Sequence, residues 1–432
     1  MTTVKDHVAY SLVSLGCART LVDSEKMVDA LGHGGFRLVE EGSGESVTIL
    51  NTCSFIASAV EETENNIQHL IKRKKEGVLK HLVVVGCYPS RFGKDSLEKQ
   101  FPEVDLWLTT KEESTLQATL SKLVFATKYQ PKPHPYIKLT PSHYSYLKIS
   151  EGCDNWCSFC TIPKIRGQHR SKPIAKIVEE ATRQMTFGAK ELILIAEDTT
   201  AWGEDLFGKP SLPLLLKELG KLPVPWIRLM YVFPPRVDAS FIQVMKDTKA
   251  ICAYLDMPVQ HVNTTLLKNM NRGHTGEYLK DLVKRLKQEV PNLALRTSLI
   301  LGFPGETESD VDELIAFLTE AEFAHVGCFA YSWEKETRSA RLPNRVDDKT
   351  IQARIKRVME AQFGIQQKIH ERLEGTTQTM LYEGNGTGRS FHQAPDVDGK
   401  LLVDNTVGLT AGVFYSVRID GSQGYDLKVS LI

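Results

Sequence analysis

Alternation between short apolar runs and amphipathic stretches is the pattern that most restricts how this chain folds. In the first ninety residues, apolar runs at Val8–Leu15, Val47–Leu50 and Leu82–Val85 are separated by Thr20–Leu31 and Ala57–Lys75, whose apolar positions recur at helical spacing. A β-α-β-α-β order predicts a parallel sheet with right-handed crossovers. Each run leads into a cysteine: Cys17, Cys53 and Cys87. Parallel strands put their carboxyl ends on one edge, where open α/β sheets build their sites. Three thiols far apart in sequence should therefore meet. A lone cysteine after an apolar run is usually a small core residue. Three at equivalent positions favour a three-thiolate metal site.

The same alternation resumes beyond Gln130–Pro135, a proline-rich stretch that reads as a stiff linker. Strands are predicted at Tyr146–Ile149, Leu192–Ala196, Ile227–Tyr231, Ala253–Val259, Ala294–Gly302 and Val326–Tyr331, with helices between them. Six strands suffice for an open parallel barrel and fall short of the eight of a closed one; in such barrels the loops after the strands carry the chemistry. The first of these loops, Ser150–Thr161, presents Cys153, Cys157 and Cys160 in a C-x3-C-x2-C spacing, with Phe159 before the third thiol. Three thiols so close suit a metal centre. An iron–sulfur cube takes four ligands, so three would leave one iron open to a substrate or cofactor. A zinc site completed by His169 is the alternative. Structural zinc sites pair two Cys/His doublets, however, and no second doublet follows.

Bulk properties narrow the class. The 432 residues exceed one ordinary domain. Hydrophobic content of 42% with 25% charged residues is that of a globular chain with ample core. Lys+Arg and Asp+Glu each total 53, so overall charge gives no hint of a nucleic-acid partner. The N-terminus lacks an apolar signal segment and no run is long enough to cross a membrane. A cytoplasmic location is expected, where eight cysteines stay reduced and are better read as ligands than as disulfides.

The loop around Cys153, Cys157 and Cys160 resembles the cluster-binding loop of radical S-adenosylmethionine (SAM) enzymes. The segments Leu15–Glu25, Asn51–Ile56 and Val85–Pro89 resemble the N-terminal domain of the methylthiotransferases within that family. The resemblance runs in family order over nearly the whole chain. It leans toward the subfamily that methylthiolates an aspartate of the twelfth small-subunit ribosomal protein, with a tRNA adenosine methylthiotransferase as the alternative.

The resemblance implies an N-terminal α/β domain (5–128), a central partial (β/α)6 radical SAM barrel (139–368) and a small C-terminal antiparallel β-barrel of TRAM type (370–432). It implies two 4Fe–4S clusters, on Cys153, Cys157 and Cys160 and on Cys17, Cys53 and Cys87. It also implies a SAM site drawn from Phe159, Glu197, Asp256, Gln260, Ser298, Gly302 and Gly305. At position 197 the subfamily leads one to expect Gln; Glu197 keeps the acceptor and adds charge. The expected partners are the ribosomal protein or the 30S particle as substrate and an electron donor such as flavodoxin or ferredoxin, with the enzyme a monomer. A scaffold or electron carrier without its own reaction is the rival from another class.

Other residues have plainer readings. Asp23 and Glu25 suit helix capping, and Asn51 either supports the cluster loops or caps a helix. Arg166, His169 and Arg170 form a basic patch, either a solvated loop or a contact for substrate or the SAM carboxylate. Cys252 and Cys328 are expected in the core. From His370 onward eight acidic residues face five basic ones, a balance near −3 that suits a basic protein partner better than phosphates.

Overall fold

The computed structural model describes residues 7–125 and 136–432; the predicted linker at Gln130–Pro135 lies outside the described residues. The N-terminal sheet contains β1 (Val8–Ser14), β2 (Phe36–Leu38), β3 (Val47–Thr52), β4 (His81–Gly86) and β5 (Leu106–Thr109), all parallel, in the order β2-β1-β3-β4-β5. The central strand β3, Val-Thr-Ile-Leu-Asn-Thr, is buried throughout, as expected when helices cover both faces of a parallel sheet. Helices α1 (Ala18–His33) and α2 (Ala57–Lys75) cross between the three predicted strands. The last turn of α2 carries Lys72, Arg73, Lys74 and Lys75, cations that complement the negative end of the helix dipole. Strands β2 and β5 escaped the sequence reading because they are short edge strands.

The central domain is an open sheet of six parallel strands: β6 (Tyr144–Lys148), then, after the two-residue ribbons β7 (Ser150–Glu151) and β8 (Arg170–Ser171), β9 (Glu191–Ile195), β10 (Trp226–Leu229), β11 (Ile251–Asp256), β12 (Ala294–Leu301) and β13 (His325–Ala330). Their spatial order is β13-β12-β11-β10-β9-β6. Flanking helices bury Leu, Ile and Val against the outer face in the largest core cluster of the molecule. The edge strand β6 packs against α1 of the N-terminal domain, and β13 packs against the long helix Asp348–Leu373. The two open edges of the partial barrel are thus covered by other parts of the chain.

The C-terminal strands β14 (Thr377–Gly384), β15 (Thr387–Arg389), β16 (Leu401–Val403), β17 (Phe414–Gln423) and β18 (Asp426–Leu431) close into a barrel. Between β15 and β16 the chain reaches into the interior of the central half-barrel, where Phe391 and Ala394 pack with Tyr144, Tyr146, Ile193, Tyr254 and Ala294. Polar residues fasten this plug. Arg389 pairs with Glu191 at 2.7 Å, Arg228 pairs with Glu191 at 2.5 Å and donates to the Phe391 carbonyl at 2.7 Å, and Tyr254 donates to Asp398 at 2.7 Å.

This arrangement corrects the charge argument made from sequence. Glu383 faces His143 and Arg389, Asp396 accepts from Tyr144 and Tyr146, and Asp398 sits beside Arg296 and His325. Three of the acidic residues credited to a partner-facing surface are engaged within the molecule, Glu383 and Asp398 with largely buried side chains.

Candidate active site

The three N-terminal thiols arrive from equivalent places: Cys17 as the N-cap of α1, Cys53 one residue past β3, and Cys87 at the first position of the short helix Cys87–Phe92. Gly16 adopts φ +103°, and a Cβ on it would fall 2.9 Å from the Cys53 Cβ, so only glycine lets the first loop lie against the second. Asn51 ties the same loops by donating to Thr20 O at 3.2 Å and to Ser24 Oγ at 2.9 Å.

Their charges are felt mutually. Burial, aided by the nearness of Cys53 and Cys17, pushes the Cys87 thiol up to about 12. Burial also raises Cys53. At Cys17 burial acts upward too, but the Arg19 guanidinium and Thr20 bring the thiol down to about 7. Binding to a metal removes such protons, because thiolate is the ligand form.

The second group follows β6 and β7. Gly152 at φ +75° precedes Cys153, and a Cβ there would lie 2.2 Å from the Gln168 carbonyl oxygen, a backbone atom that cannot step aside. Burial pushes Cys153 up to about 12 and raises Cys160 as well, with neighbouring Cys157 adding to both shifts.

Cys153, Cys157 and Cys160 line a cavity of about 420 Å³ together with Phe159, Glu197, Gln260 and Ser298. That volume is in the range of sites for small molecules and cofactors. Asp256, Gly302 and Gly305 are not in its wall. Asp256 is fully buried, pairs with Arg296 at 2.9 Å and accepts from the Tyr231 backbone N–H at 3.0 Å, so it supports the floor from behind. Gly302 turns at φ +81° against Ile351 and donates its N–H to Glu306 at 3.0 Å. Gly305 has open space where a side chain would go. Sequence position after a strand placed these three near the site; the direction in which each faces was not readable.

Arg19, Tyr231, Phe233, Arg272 and Phe329 line the cavity and were missed by the sequence reading as contacts. Arg19 was the findable one, because it sits two residues after a ligand-type cysteine. Its guanidinium donates to the Ala196 carbonyl at 3.0 Å, lies 4.7 Å above the Tyr231 ring and comes within 3.8 Å of Glu197. Both carboxylate oxygens of Glu197 are buried without a hydrogen-bond partner, and burial raises this carboxyl. An acceptor left open beside three thiols fits the amino group of a bound amino-acid cofactor.

The basic patch resolves into separate roles. Arg166 is buried, pairing with Glu151 at 2.6 Å and with Asp23 at 3.0 Å, and its Nη2 reaches the Cys87 sulfur at 3.6 Å. His169 is held by Ser171 at 3.0 Å and stands 3.8 Å from Asp205, away from the thiols. Among the described residues, no three His, Cys, Asp or Glu side chains converge closely enough for a single ion. The zinc reading with His169 is set aside, because His169 is engaged by Ser171 and Asp205 and is not in the wall of the cavity that Cys153, Cys157 and Cys160 line.

Asp23 and Glu25 do not cap a helix. They lie in the second turn of α1, where Asp23 pairs with Lys148 and Glu25 accepts from Leu139 and Thr140. Both hold the N-terminal domain to the barrel. Cys252 is buried in the cluster that receives Phe391 and Ala394, and Cys328 packs partly buried against the separate outer cluster.

An open parallel half-barrel, with three thiols in its first loop and an orphaned carboxylate in the same cavity, defines a radical SAM protein. Residues 147–318 match the Radical SAM superfamily, residues 9–109 match the uncharacterized protein family UPF0004, and residues 375–432 match the TRAM domain. Over its full length the chain is 38% identical to the whole of the ribosomal protein uS12 methylthiotransferase RimO of Geobacter sulfurreducens. Across 98% of its length it is 40% identical to the RimO of Myxococcus xanthus, covering 91% of that protein. The chain belongs to the RimO family of radical SAM enzymes.

Among solved structures it is similar in fold to the radical SAM methyltransferase TsrM of Kitasatospora setae. The TM-score is 0.56 at 14% identity, covering 94% of this chain and 82% of that one.

Proposed function

We propose that this chain is a methylthiotransferase acting on the β-carbon of an aspartate in ribosomal protein uS12; the names of its relatives state the ribosomal protein. The observation that supports this reading most is the placement of two thiol groups on either side of one charged bridge. Arg19 lies two residues after Cys17, and it lines the same cavity as Cys153, Cys157 and Cys160, together with Phe55 and Ile56 from the loop after Cys53. A reaction that activates carbon at one centre and adds sulfur from another needs the two to face a shared space.

On this reading Cys153, Cys157 and Cys160 would hold one 4Fe–4S cluster, with SAM in the cavity beside it, and Cys17, Cys53 and Cys87 would hold a second. Bound there, these groups supply hydrogen removal from an unactivated carbon and the sulfur that replaces it. The chain's own residues do the positioning. Glu197 offers its unpaired oxygens to the SAM ammonium, while Gln260 and Ser298 line the far wall with polar atoms. Tyr231, Phe233 and Phe329 give the cavity an apolar lining that excludes water.

Arg236 pairs with Asp198 at 2.6 Å and donates to Asn155 at 2.7 Å, holding the loop after β9 to the cysteine loop. The reading assigns the segments 5–128, 139–368 and 370–432 as the three domains, a flavodoxin or ferredoxin as electron donor, and a monomer working in the cytoplasm. Among the described residues no helix is long and apolar enough to cross a membrane.

The test is anaerobic reconstitution followed by SAM and reductant, with 30S subunits in one arm and tRNA in the other, read by mass spectrometry. Methylthiolated aspartate in the 30S arm supports the proposal. A methylthiolated nucleoside from tRNA, with unmodified uS12, would move the chain to the RNA-modifying reading. Iron per chain should be about eight, two cubes' worth, and about four when Cys17, Cys53 and Cys87 are all replaced by Ala.

A further inference from the structure

Most buried arginines in this protein meet a carboxylate, and the two that line the cavity, Arg19 and Arg272, meet none at hydrogen-bonding range among the described residues. Arg228 and Arg389 meet Glu191 at 2.5 and 2.7 Å, Arg166 meets Glu151 at 2.6 Å, Arg296 meets Asp256 at 2.9 Å and Arg354 meets Glu306 at 2.8 Å. A guanidinium taken out of water needs such a partner, since an uncompensated buried charge is strongly destabilising. Arg19 has none at that range. Its side chain is 17% exposed, its nearest carboxylate is Glu197 at 3.8 Å, and its donors otherwise meet the Ala196 carbonyl at 3.0 Å and the neighbouring Cys17 thiol. Stacking on the Tyr231 ring fixes the plane of the guanidinium without satisfying its donors.

The cavity's other arginine is already committed. Arg272 donates to the Pro258 carbonyl at 2.6 Å, approaches the Cys157 sulfur at 3.4 Å and lies 4.6 Å over Phe233. Its charge serves the cysteine loop.

We propose that Arg19 is the specificity-determining residue that receives the side-chain carboxylate of the substrate aspartate. This rests on the aspartate reading of the function given above. The aspartate carboxylate is one bond from the reacting β-carbon, so wherever that carbon is held between the two thiol groups, the carboxylate is held there too. Arg19 is the cation in that place: two residues after Cys17, in the wall shared with Cys153, Cys157 and Cys160. A planar guanidinium can take a carboxylate by two parallel N–H···O bonds. An asparagine cannot accept in that way, and its amide would place N–H groups against a cation. The arrangement therefore selects acid over amide at the modified position.

The test uses reconstituted full-length enzyme and two synthetic uS12 peptides that differ only in Asp or Asn at the modified position. Peptide binding is followed by fluorescence anisotropy and turnover by mass spectrometry, with 5′-deoxyadenosine and iron measured in parallel. Wild type should favour the Asp peptide by about 100-fold or more in kcat/KM, since a site built for a charged partner rejects the analogue lacking it. Arg19→Gln should bring that ratio within about tenfold and weaken binding of the Asp peptide alone, whereas Arg19→Lys should keep the preference.

A ratio unchanged in Arg19→Gln, with the KM for SAM raised instead, would overturn the assignment and make Arg19 a contact for the cofactor. Loss of about four irons in both variants would overturn it in favour of a role in holding the N-terminal cluster. Wild type that forms 5′-deoxyadenosine yet modifies neither peptide would overturn the aspartate reading itself, and the Arg19 assignment with it.

Discussion

Glu197 shows how much a single side chain settles at the centre of this cavity. It stands buried beside two guanidinium groups, Arg19 at 3.8 Å and Arg166 at 3.6 Å, without a hydrogen bond to either of its oxygens. Replacement by Gln keeps an acceptor oxygen, so Glu197→Gln should hold 5′-deoxyadenosine formation within about tenfold of wild type. Glu197→Leu removes the acceptor and should raise the KM for SAM about 100-fold, the size of a lost charge-assisted hydrogen bond. Steady-state kinetics with varied SAM separates the two.

A second carboxyl makes a stability prediction. Burial, with the Asp23 carboxylate nearby, pushes Glu113 up to about 8. A carboxyl raised in the folded state contributes stability that is intact below its unfolded value, near 4.5, and is lost as the pH climbs toward 8. Glu113→Gln should therefore match wild type near pH 4.5, become progressively more stable than it up to about pH 8, and gain no more above that. Thermal melts of the two proteins across this range check the difference curve.

At the scale of the element, the cysteine loop is held by backbone. Gly152 meets the Gln168 and Gly167 carbonyl oxygens at 2.2 and 2.6 Å from where a Cβ would stand. Gly152→Ala should displace Cys153 and lower reconstituted iron from about eight per chain to about four, with the N-terminal group still loaded. Iron content together with the cluster absorbance of the variant measures this directly. A full complement of iron would show that the loop tolerates the shift.

The predicted elements lie close to the observed ones for a physical reason: β3 and β4 are parallel strands buried along nearly their whole length and β1 is partly buried beside them, so all three read as mainly apolar runs. Helix α2 matches its predicted bounds because its apolar positions recur at helical spacing. Strand β15 is three residues long with Gly388 at its centre, which leaves no periodicity to read. The corrected roles of Asp23, Glu25 and Asp256 share one cause. Each carboxylate is oriented by a partner far away in sequence, such as Lys148 for Asp23 or Leu139 for Glu25.

For the whole molecule, the plug inserted by the C-terminal domain joins three segments through one buried carboxylate. Glu191 takes both Arg228 and Arg389, and all three side chains are essentially inaccessible to water. Arg389→Met leaves Glu191 with a single partner and Glu383 with only His143. Breaking a buried pair from one side costs about 3–5 kcal/mol. Urea denaturation of Arg389→Met should report a loss of that order, and limited proteolysis should cut earlier between the barrel and the C-terminal domain. A variant as stable as wild type would show that the plug is held by its apolar contacts alone.

The linear chain determined what repeats or clusters locally. Alternating apolar runs specify two parallel sheets, the spacing of Cys153, Cys157 and Cys160 specifies a three-thiolate loop, and the strand-end positions of Cys17, Cys53 and Cys87 predict that they meet. Such features are written in periods of two and 3.6 residues or in spacings of a few positions, so they survive without a partner. Only the tertiary structure decided which polar residues face the cavity. It turned Asp256 away into a pair with Arg296, brought Arg19 from the N-terminal domain against Glu197 of the barrel, and folded Glu383 and Asp398 of the C-terminal domain inward. A charge has no periodicity. Its partner is set by which elements dock, and docking is set by the apolar faces of all three domains together.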